Sequence, residues 1–272
     1  MYCRPSRPSV FCSKYSRGWQ CAPPPLAGRF CTISIMKPVK LRLILAAAAL
    51  ALGACGNKNL QTLEHPDQVA PKVYYVSPAP FRSMRFAPPP EPGSMEQQAD
   101  IAGVLAWQNK RTEADCAKSS RTAEETYDSF WGAQSPFPSP VPPGVHEFFV
   151  RLAADLEASL ETMKERYQRP RPYMAYAEAQ PCIKRSKSFS YPSGHTTFAR
   201  VFGNVLADLL PARRDEFLAK ADEIAQDRVI GGVHYPGDIA AGKVFGDLYH
   251  AELLKSPAYQ ADLEKLRALL SK

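Results

Sequence analysis

The pattern that most restricts the fold is a series of helical periods that begins at Ser94 and continues through the last quarter of the chain. Apolar side chains recur there every three or four residues, as they do at Phe148, Leu152, Leu156 and Leu160. This spacing places them on one face of an amphipathic helix. Strand-like alternation is nearly absent from this part of the chain. We therefore predict an all-α, single helical-bundle domain over residues 94–272.

Prolines and glycines divide this region into separate predicted helices. Ser94 and Gln97 form a capping-box-like start for the first. Those that follow are expected at about 113–131, 145–167, 194–210, 212–229, 236–254 and 257–271. Pro170 and Pro172 end the 145–167 helix, because proline lacks an N–H group and clashes with the preceding turn. Lys164 is thus expected in a last helical turn, and a proline-rich loop is expected at 136–143.

The N-terminal region differs in charge from the rest. The net charge is +7, yet residues 1–54 alone hold eight Lys or Arg and no Asp or Glu, so the remainder is near −1. A nearly neutral body gives no basis for nucleic-acid binding. Residues 1–35 have no helical or strand period and precede a complete signal sequence. We interpret them as an upstream extension that is not native to the protein.

Residues 36–54 have the layout of a lipoprotein signal peptide. A basic segment at 36–42 precedes an apolar run of twelve residues, 43–54, which is short for a bilayer span. The run ends in Leu-Gly-Ala-Cys, which resembles a bacterial lipobox, so Cys55 is the predicted lipidation site. This predicts a periplasmic protein that contacts the membrane through its lipid anchor only, with Gly56 favouring the outer membrane of a Gram-negative bacterium. An ordinary signal peptide is the alternative. Residues 55–93, rich in proline, are expected to form a tether and an extended arm.

Two cysteines of the body, Cys116 and Cys182, remain after the leader and Cys55 are set aside. In an oxidising periplasm they can form a disulfide, and the alternative is a pair of buried free thiols.

The segment from Ser188 to Asp238 carries the residues best suited to chemistry. His195 follows Ser193 and Gly194 at a predicted helix start, where backbone N–H groups bind anions. Asp238 lies four residues after His234, so its carboxylate can fix the tautomer of that imidazole and leave the second nitrogen free. One histidine can attack phosphorus while the other protonates the leaving oxygen.

Three cations complete a phosphate site in this reading. Lys164, Arg171 and Arg228 are predicted to hold phosphate oxygens, the arginines in a bidentate manner. Arg169 lies outside the pattern and is as easily a solvated cation. The remaining histidines, His65, His146 and His250, match no motif. No Cys/His cluster has zinc spacing and the acidic residues do not group, so we expect hydrolysis without a metal or other cofactor.

Three ordered motifs carry a family resemblance. They are K-x6-R-P at 164–172, P-S-G-H at 192–195 and R-x5-H-x3-D at 228–238. Together they resemble the type 2 phosphatidic acid phosphatase superfamily, which includes the vanadium haloperoxidases. The segments SYPSGHT, RVIGGVHYPGD, APPPEPGS and PAYQADLEKLRALL resemble one branch of it, the bacterial class A non-specific acid phosphatases. The resemblance covers roughly residues 85–272.

The resemblance implies a helical bundle and a broad hydrolysis of small phosphomonoesters. It makes His234 the nucleophile of a phosphohistidine intermediate and His195 the general acid, with Ser193 adding a hydroxyl and Gly194 a backbone N–H to the phosphate site. The alternatives are a lipid phosphatase acting near the membrane, a vanadate-dependent haloperoxidase and an inactive phosphate-binding lipoprotein. The oligomeric state and the physiological substrate stay open.

One residue departs from the family pattern. Asp227 stands before Arg228, where the family usually has serine. A carboxylate there either weakens phosphate binding or supports the cations from behind by pairing with Arg228 or Arg169, and we favour the second interpretation.

Overall fold

The computed structural model describes residues 72–270, together with two short strands near the N-terminus. The chain divides into two compact units, residues 1–65 and residues 66–272. The predicted signal peptide at 36–54 and the lipidation site at Cys55 lie outside the described residues.

The first unit contains an antiparallel pair of strands, β1 (Cys12–Tyr15) and β2 (Gly18–Cys21), in which Cys12 is registered with Cys21. The hairpin lies within residues 1–35, where the sequence has no helical or strand period. Its two four-residue strands are too short to show a clear alternating pattern.

The second unit is all-α over residues 72–270, as predicted. Its helices are α1 (Ala79–Ser83), α2 (Met95–Lys110), α3 (Glu113–Arg121), α4 (Tyr127–Trp131), α5 (Pro143–Tyr167), α6 (Pro172–Ala175), α7 (Gly194–Leu209), α8 (Arg214–Ile230), α9 (Pro236–Leu253) and α10 (Pro257–Leu270). None of the helices in the described part of the chain is both long enough and apolar enough to cross a membrane.

The helix predicted over 113–131 is interrupted, which corrects the sequence interpretation. The chain leaves helical geometry at Thr122 and resumes at Thr126, whose hydroxyl caps α4 by accepting a hydrogen bond from the Ser129 N–H at 3.2 Å. Threonine competes for local backbone hydrogen bonds and is favoured at such caps. The interruption brings the segment 119–125 to the cavity described below.

The core is built around α7, which packs against α8, α9 and α5. Phe198, Phe202 and Val205 of α7 are buried, and Phe202 makes an edge contact with Phe149 of α5 at 4.9 Å between ring centroids. Close approach of α9 depends on Gly242, where a Cβ atom would lie 2.9 Å from the Ser193 carbonyl oxygen. This contact sets the start of α7 beside the start of α9, and the two predicted catalytic histidines lie at those two starts.

The arm before α2 is partly integrated into this core. Three successive backbone N–H groups, those of residues 74–76, donate to the Asp155 carboxylate of α5 at 2.6–3.1 Å. Phe81 of the short helix α1 is buried and stacks on Tyr249 at 5.6 Å. Further along the arm, the Ala87 carbonyl accepts a hydrogen bond from the Tyr191 hydroxyl at 2.7 Å. The arm was predicted to be extended. That prediction is wrong for the five residues of α1, Ala79–Ser83, which are helical.

Cys116 and Cys182 form a disulfide, with their Cα atoms 5.8 Å apart. The bond joins α3 to the loop at 182–188. Closing a loop of 66 residues is expected to stabilise the fold by about 2–4 kcal/mol.

Candidate active site

A cavity of about 380 Å³ opens between the end of α5, the loop at 183–188, the start of α7, the end of α8 and the segment 119–125. Five of the predicted site residues line it: Lys164, Arg171, His195, Arg228 and His234. Residues separated by up to 70 positions in the chain are therefore brought to one place, as the three motifs predicted.

His234 lies two residues before α9 and is held by Asp238, which lies in the first turn of that helix. Its Nδ1 lies 3.2 Å from Asp238 Oδ2, which also accepts hydrogen bonds from the Tyr235 N–H at 3.0 Å and the Ser190 hydroxyl at 2.5 Å. A carboxylate only accepts, so Nδ1 carries the hydrogen and Nε2 keeps its lone pair. Nε2 lies 3.1 Å from Arg171 Nη1 at the cavity.

The surroundings of His234 favour the neutral imidazole. Burial lowers its pKa well below the usual value, and the positive charge of Arg171 lowers it further. Burial raises the pKa of Asp238, while Arg169 and the Ser190 hydroxyl oppose that change by stabilising the carboxylate. A neutral imidazole whose Nε2 carries no hydrogen is the form able to attack phosphorus, and in this structure that nitrogen accepts a hydrogen bond from Arg171 Nη1.

Arg169 supports this pair from behind, a role that the sequence interpretation missed. It is only 5% exposed, and its Nη1 donates to Asp238 Oδ1 at 2.6 Å. Its Nη2 donates to Asp100 Oδ2 at 2.6 Å and to the Gln97 side-chain carbonyl at 2.5 Å. Its guanidinium also lies 4.0 Å from the centroid of the Tyr235 ring. The positive charge of Arg169 stabilises the buried Asp238 carboxylate, and Asp100 and Gln97 hold the guanidinium in place.

Lys164 and Arg171 share a partner on the loop at 183–188. Arg171 donates to the Ser188 hydroxyl at 3.0 Å through Nη2 and to the Ser188 carbonyl at 2.8 Å through Nε. Lys164 lies in the last turn of α5, as predicted, 3.5 Å from the same hydroxyl and 3.0 Å from Glu161 Oε1. Ser188 therefore orients both cations toward the cavity.

Arg228 reaches the cavity from the last turn of α8. Its Nη2 donates to the Ser119 carbonyl and, at 2.7 Å, to the Thr122 hydroxyl. Burial lowers its pKa to about 10, so it remains a cation at neutral pH. Its buried Nε has no hydrogen-bond partner within the described chain.

His195 lies on the other side of the cavity and is less buried than His234, with 21% of its side chain exposed against 1%. Its Nδ1 is 2.8 Å from Glu125 Oε1, and its Nε2 is 3.1 Å from the carbonyl oxygen of Ala123. Nothing in the sequence pattern indicated Glu125, which comes from the break between α3 and α4.

Ser193 and Gly194 lie at the start of α7, as predicted. Neither is among the described residues that line the cavity. Ser193 is fully buried, its hydroxyl accepts from the Thr196 hydroxyl at 3.0 Å and its N–H donates to the Asp238 carbonyl at 3.1 Å. Their contribution to phosphate binding stays a prediction.

Asp227 faces away from this cavity. It lines a second depression with Lys118, whose Nζ is 3.8 Å from Asp227 Oδ1. Within the described residues no hydrogen bond joins its carboxylate to Arg228 or Arg169, so the expected pairing with either arginine was wrong. Arg169 is instead engaged by Asp100 and Asp238.

Between residues 72 and 270, no three His, Cys, Asp or Glu side chains form a group that could hold a metal ion. The expectation of metal-independent hydrolysis stays a prediction.

The fold and the two histidines that line the cavity point to a class of protein, and comparison with known proteins identifies that class. Residues 149–260 match the PAP2 superfamily, so this part of the chain carries a PAP2 superfamily domain. Within it, the chain is similar to the class A type of acid phosphatase. It is 29% identical over 209 residues to a non-specific acid phosphatase of Providencia stuartii, covering 72% of this chain and 84% of the relative.

Two further relatives match more locally. A non-specific acid phosphatase of Salmonella typhimurium is 35% identical over 112 residues, or 40% of this chain and 45% of the relative. A lipid A 1-phosphatase of Rhizobium johnstonii is 36% identical over 108 residues, or 38% of this chain and 43% of the relative. The chain thus spans less than half the length of these two proteins.

Proposed function

We propose that this protein is a periplasmic acid phosphatase that hydrolyses a broad range of phosphomonoesters through a phosphohistidine intermediate. The observation that carries the proposal is the state of His234. Asp238 fixes its Nδ1–H, and its Nε2 lies 3.1 Å from Arg171 Nη1 in a cavity that Lys164 and Arg228 also line. The similarity to acid phosphatases supports the same reaction class.

The reaction follows from this arrangement in two steps. Lys164, Arg171 and Arg228 neutralise the oxygens of the phosphoryl group and stabilise the charge of the transition state. His234 Nε2 forms a bond to phosphorus, the bond to the ester oxygen breaks, and His195 gives that oxygen a proton. A water molecule then loses a proton to His195 and attacks phosphorus, and the phosphorus–nitrogen bond breaks to restore His234.

Rapid acid quench with 32P-labelled substrate tests the intermediate. We expect label on the wild-type protein and none on the His234→Ala variant, because that variant lacks the attacking nitrogen. Since phosphohistidine is labile to acid, an alkaline quench is run in parallel. Hydrolysis of p-nitrophenyl phosphate without any trapped label under either quench would contradict the covalent mechanism.

A lipid phosphatase is the second candidate, and the similarity to the lipid A 1-phosphatase favours it. The experiment compares kcat/KM for a short-chain and a long-chain phosphatidic acid with kcat/KM for p-nitrophenyl phosphate. A long-chain substrate preferred by more than about tenfold, or ~1.4 kcal/mol of transition-state stabilisation, would favour this candidate over a broad phosphomonoesterase.

The membrane anchor is a separate part of the proposal and depends on Cys55. A Cys55→Ser variant is expected to lose palmitate incorporation and to leave the membrane fraction while keeping its phosphatase activity. Mass spectrometry of the mature N-terminus identifies the processed residue. An unmodified N-terminus at another position would contradict the lipoprotein assignment.

A further inference from the structure

Among the described residues, Glu125 is the one carboxylate outside the three motifs that contacts a predicted catalytic histidine. It lies in the break between α3 and α4, with 28% of its side chain exposed, and its Oε1 is 2.8 Å from His195 Nδ1. Burial raises the pKa of Glu125, but the hydrogen bond from His195 outweighs burial and the pKa is lowered. The side chain is therefore a carboxylate.

The start of α7 is shaped to admit this carboxylate. A Cβ atom at Gly194 would lie 2.7 Å from Glu125 Oε1, closer than real Cβ atoms approach an oxygen. The first turn of α7 has no acidic residue of its own and no side-chain cap. The negative charge of Glu125 therefore complements the positive end of the helix dipole from a distant segment.

Both ring nitrogens of His195 face acceptors. The Glu125 carboxylate and the Ala123 carbonyl can only accept, so an imidazolium with hydrogen on each nitrogen satisfies both. The two contacts differ in strength. The bond to Glu125 joins opposite charges at 2.8 Å, whereas the bond to the neutral carbonyl is 3.1 Å long.

We propose that Glu125 is the positioning residue of the general acid, holding Nδ1 of His195 so that Nε2–H exchanges its bond to Ala123 for one to the leaving oxygen of the substrate. The inference rests on the proposed phosphatase function and adds a residue to it. Two carboxylate–imidazole pairs then face one phosphoryl group, Asp238 with the nucleophile and Glu125 with the acid.

The proton balance of this step is simple. As the phosphorus–oxygen bond breaks, the leaving oxygen takes the hydrogen of His195 Nε2, and the electron pair of that N–H bond stays on the ring. Nδ1–H remains bonded to Glu125 throughout. In the second step water returns a proton to Nε2 as its oxygen bonds to phosphorus, which restores the imidazolium.

The test compares Glu125→Gln with the wild type on a series of phosphate esters, measuring kcat/KM because it reports the steps through leaving-group departure. The variant is isosteric but uncharged. We expect kcat/KM for glycerol 2-phosphate, a poor leaving group, to fall about tenfold or more, and for p-nitrophenyl phosphate less than about threefold. Glu125→Asp, which keeps the charge, should recover part of the loss.

Glu113→Gln is the matched control. Glu113 is exposed in the first turn of α3, does not line the cavity and has no hydrogen bond or ion pair with His195 among the described residues. This variant removes the same charge, so we expect less than about a twofold change with either ester. Circular dichroism and the melting temperature of each variant show that it is folded.

A double-mutant cycle decides the outcome. In a His195→Ala background, Glu125→Gln should change kcat/KM by less than about twofold, because the group that Glu125 positions is gone. Equal losses on both esters, or additive losses in the double variant, would overturn the inference while leaving the phosphatase proposal intact. A wild type that hydrolyses neither ester would instead refute the proposed function.

Discussion

His234 and His195 lie on two sides of one cavity in opposite surroundings. His234 is buried, its carboxylate partner is itself buried, and nearby cations keep its imidazole neutral. His195 is partly exposed, and acceptors face both of its nitrogens. In the proposed mechanism one residue type serves as nucleophile in one place and as acid in the other, and the different burial and hydrogen-bond partners of the two histidines support that division.

The largest effect is expected from removing the buried histidine. His234→Ala deletes the proposed nucleophile, so kcat for p-nitrophenyl phosphate should fall by about a thousandfold or more. His146→Ala is a suitable control, since His146 is exposed and pairs only with Asp128 at 3.4 Å among the described residues. Residual turnover above one per cent of the wild type would mean that another group attacks phosphorus.

Removing the exposed histidine should have a smaller effect that depends on the substrate. His195→Ala is expected to lower kcat/KM by about a hundredfold for glycerol 2-phosphate and by less than about tenfold for p-nitrophenyl phosphate, because a stable leaving oxygen needs little protonation. Steady-state kinetics on both esters measures the difference. Equal losses would place His195 in phosphate binding instead.

The burial of His234, in contrast to the partial exposure of His195, also predicts how kcat/KM depends on pH. The pKa of His234 is lowered well below the usual value near 6.5, so the nucleophile stays neutral as the pH falls through that value and protonates only at lower pH. After correction for substrate ionisation near pH 6, kcat/KM at pH 5 should lie within about threefold of that at pH 6.5. A nucleophile with an ordinary pKa near 6.5 would lose about sixteenfold over this interval.

The sequence predicted the parts of the site that lie in contiguous patterns. Helical periods indicated α5, α7, α8 and α9 to within two residues, because each carries its own apolar face and its own proline or glycine boundary. The separation of four residues between His234 and Asp238 predicted their contact directly, and Asp238 lies in the first turn of α9 while His234 precedes that helix.

The supporting contacts were not predictable in the same way. Arg169 was indistinguishable from a solvated cation, because its partners Asp100 and Gln97 come from α2, about 70 residues earlier. Glu125 depends on a break in a segment with helix-forming composition, and only tertiary contacts decide where that break falls. Pairing across elements is set by packing, which periodicity does not encode.

The smallest effect is expected at Asp227, which stands before Arg228. Asp227 lines the second depression, where its Oδ1 is 3.8 Å from Lys118 Nζ. We therefore expect Asp227→Ser to change kcat/KM by less than about threefold, or ~0.7 kcal/mol. Steady-state kinetics with p-nitrophenyl phosphate measures it, and a hundredfold loss would place the carboxylate in the catalytic machinery.

The same substitution should matter more for stability, with a definite sign in its pH dependence. Burial raises the pKa of Asp227 above its value in the unfolded chain, and its Oδ1 has no hydrogen-bond partner in the described structure. The folded state then binds the proton more tightly, so this residue's contribution to stability falls as the pH rises from below 4 to neutrality. Serine does not titrate. Denaturant unfolding should therefore show Asp227→Ser gaining stability relative to the wild type between pH 4 and pH 7. A difference that is constant across this range would mean that the carboxylate ionises as freely in the folded protein as in the unfolded chain.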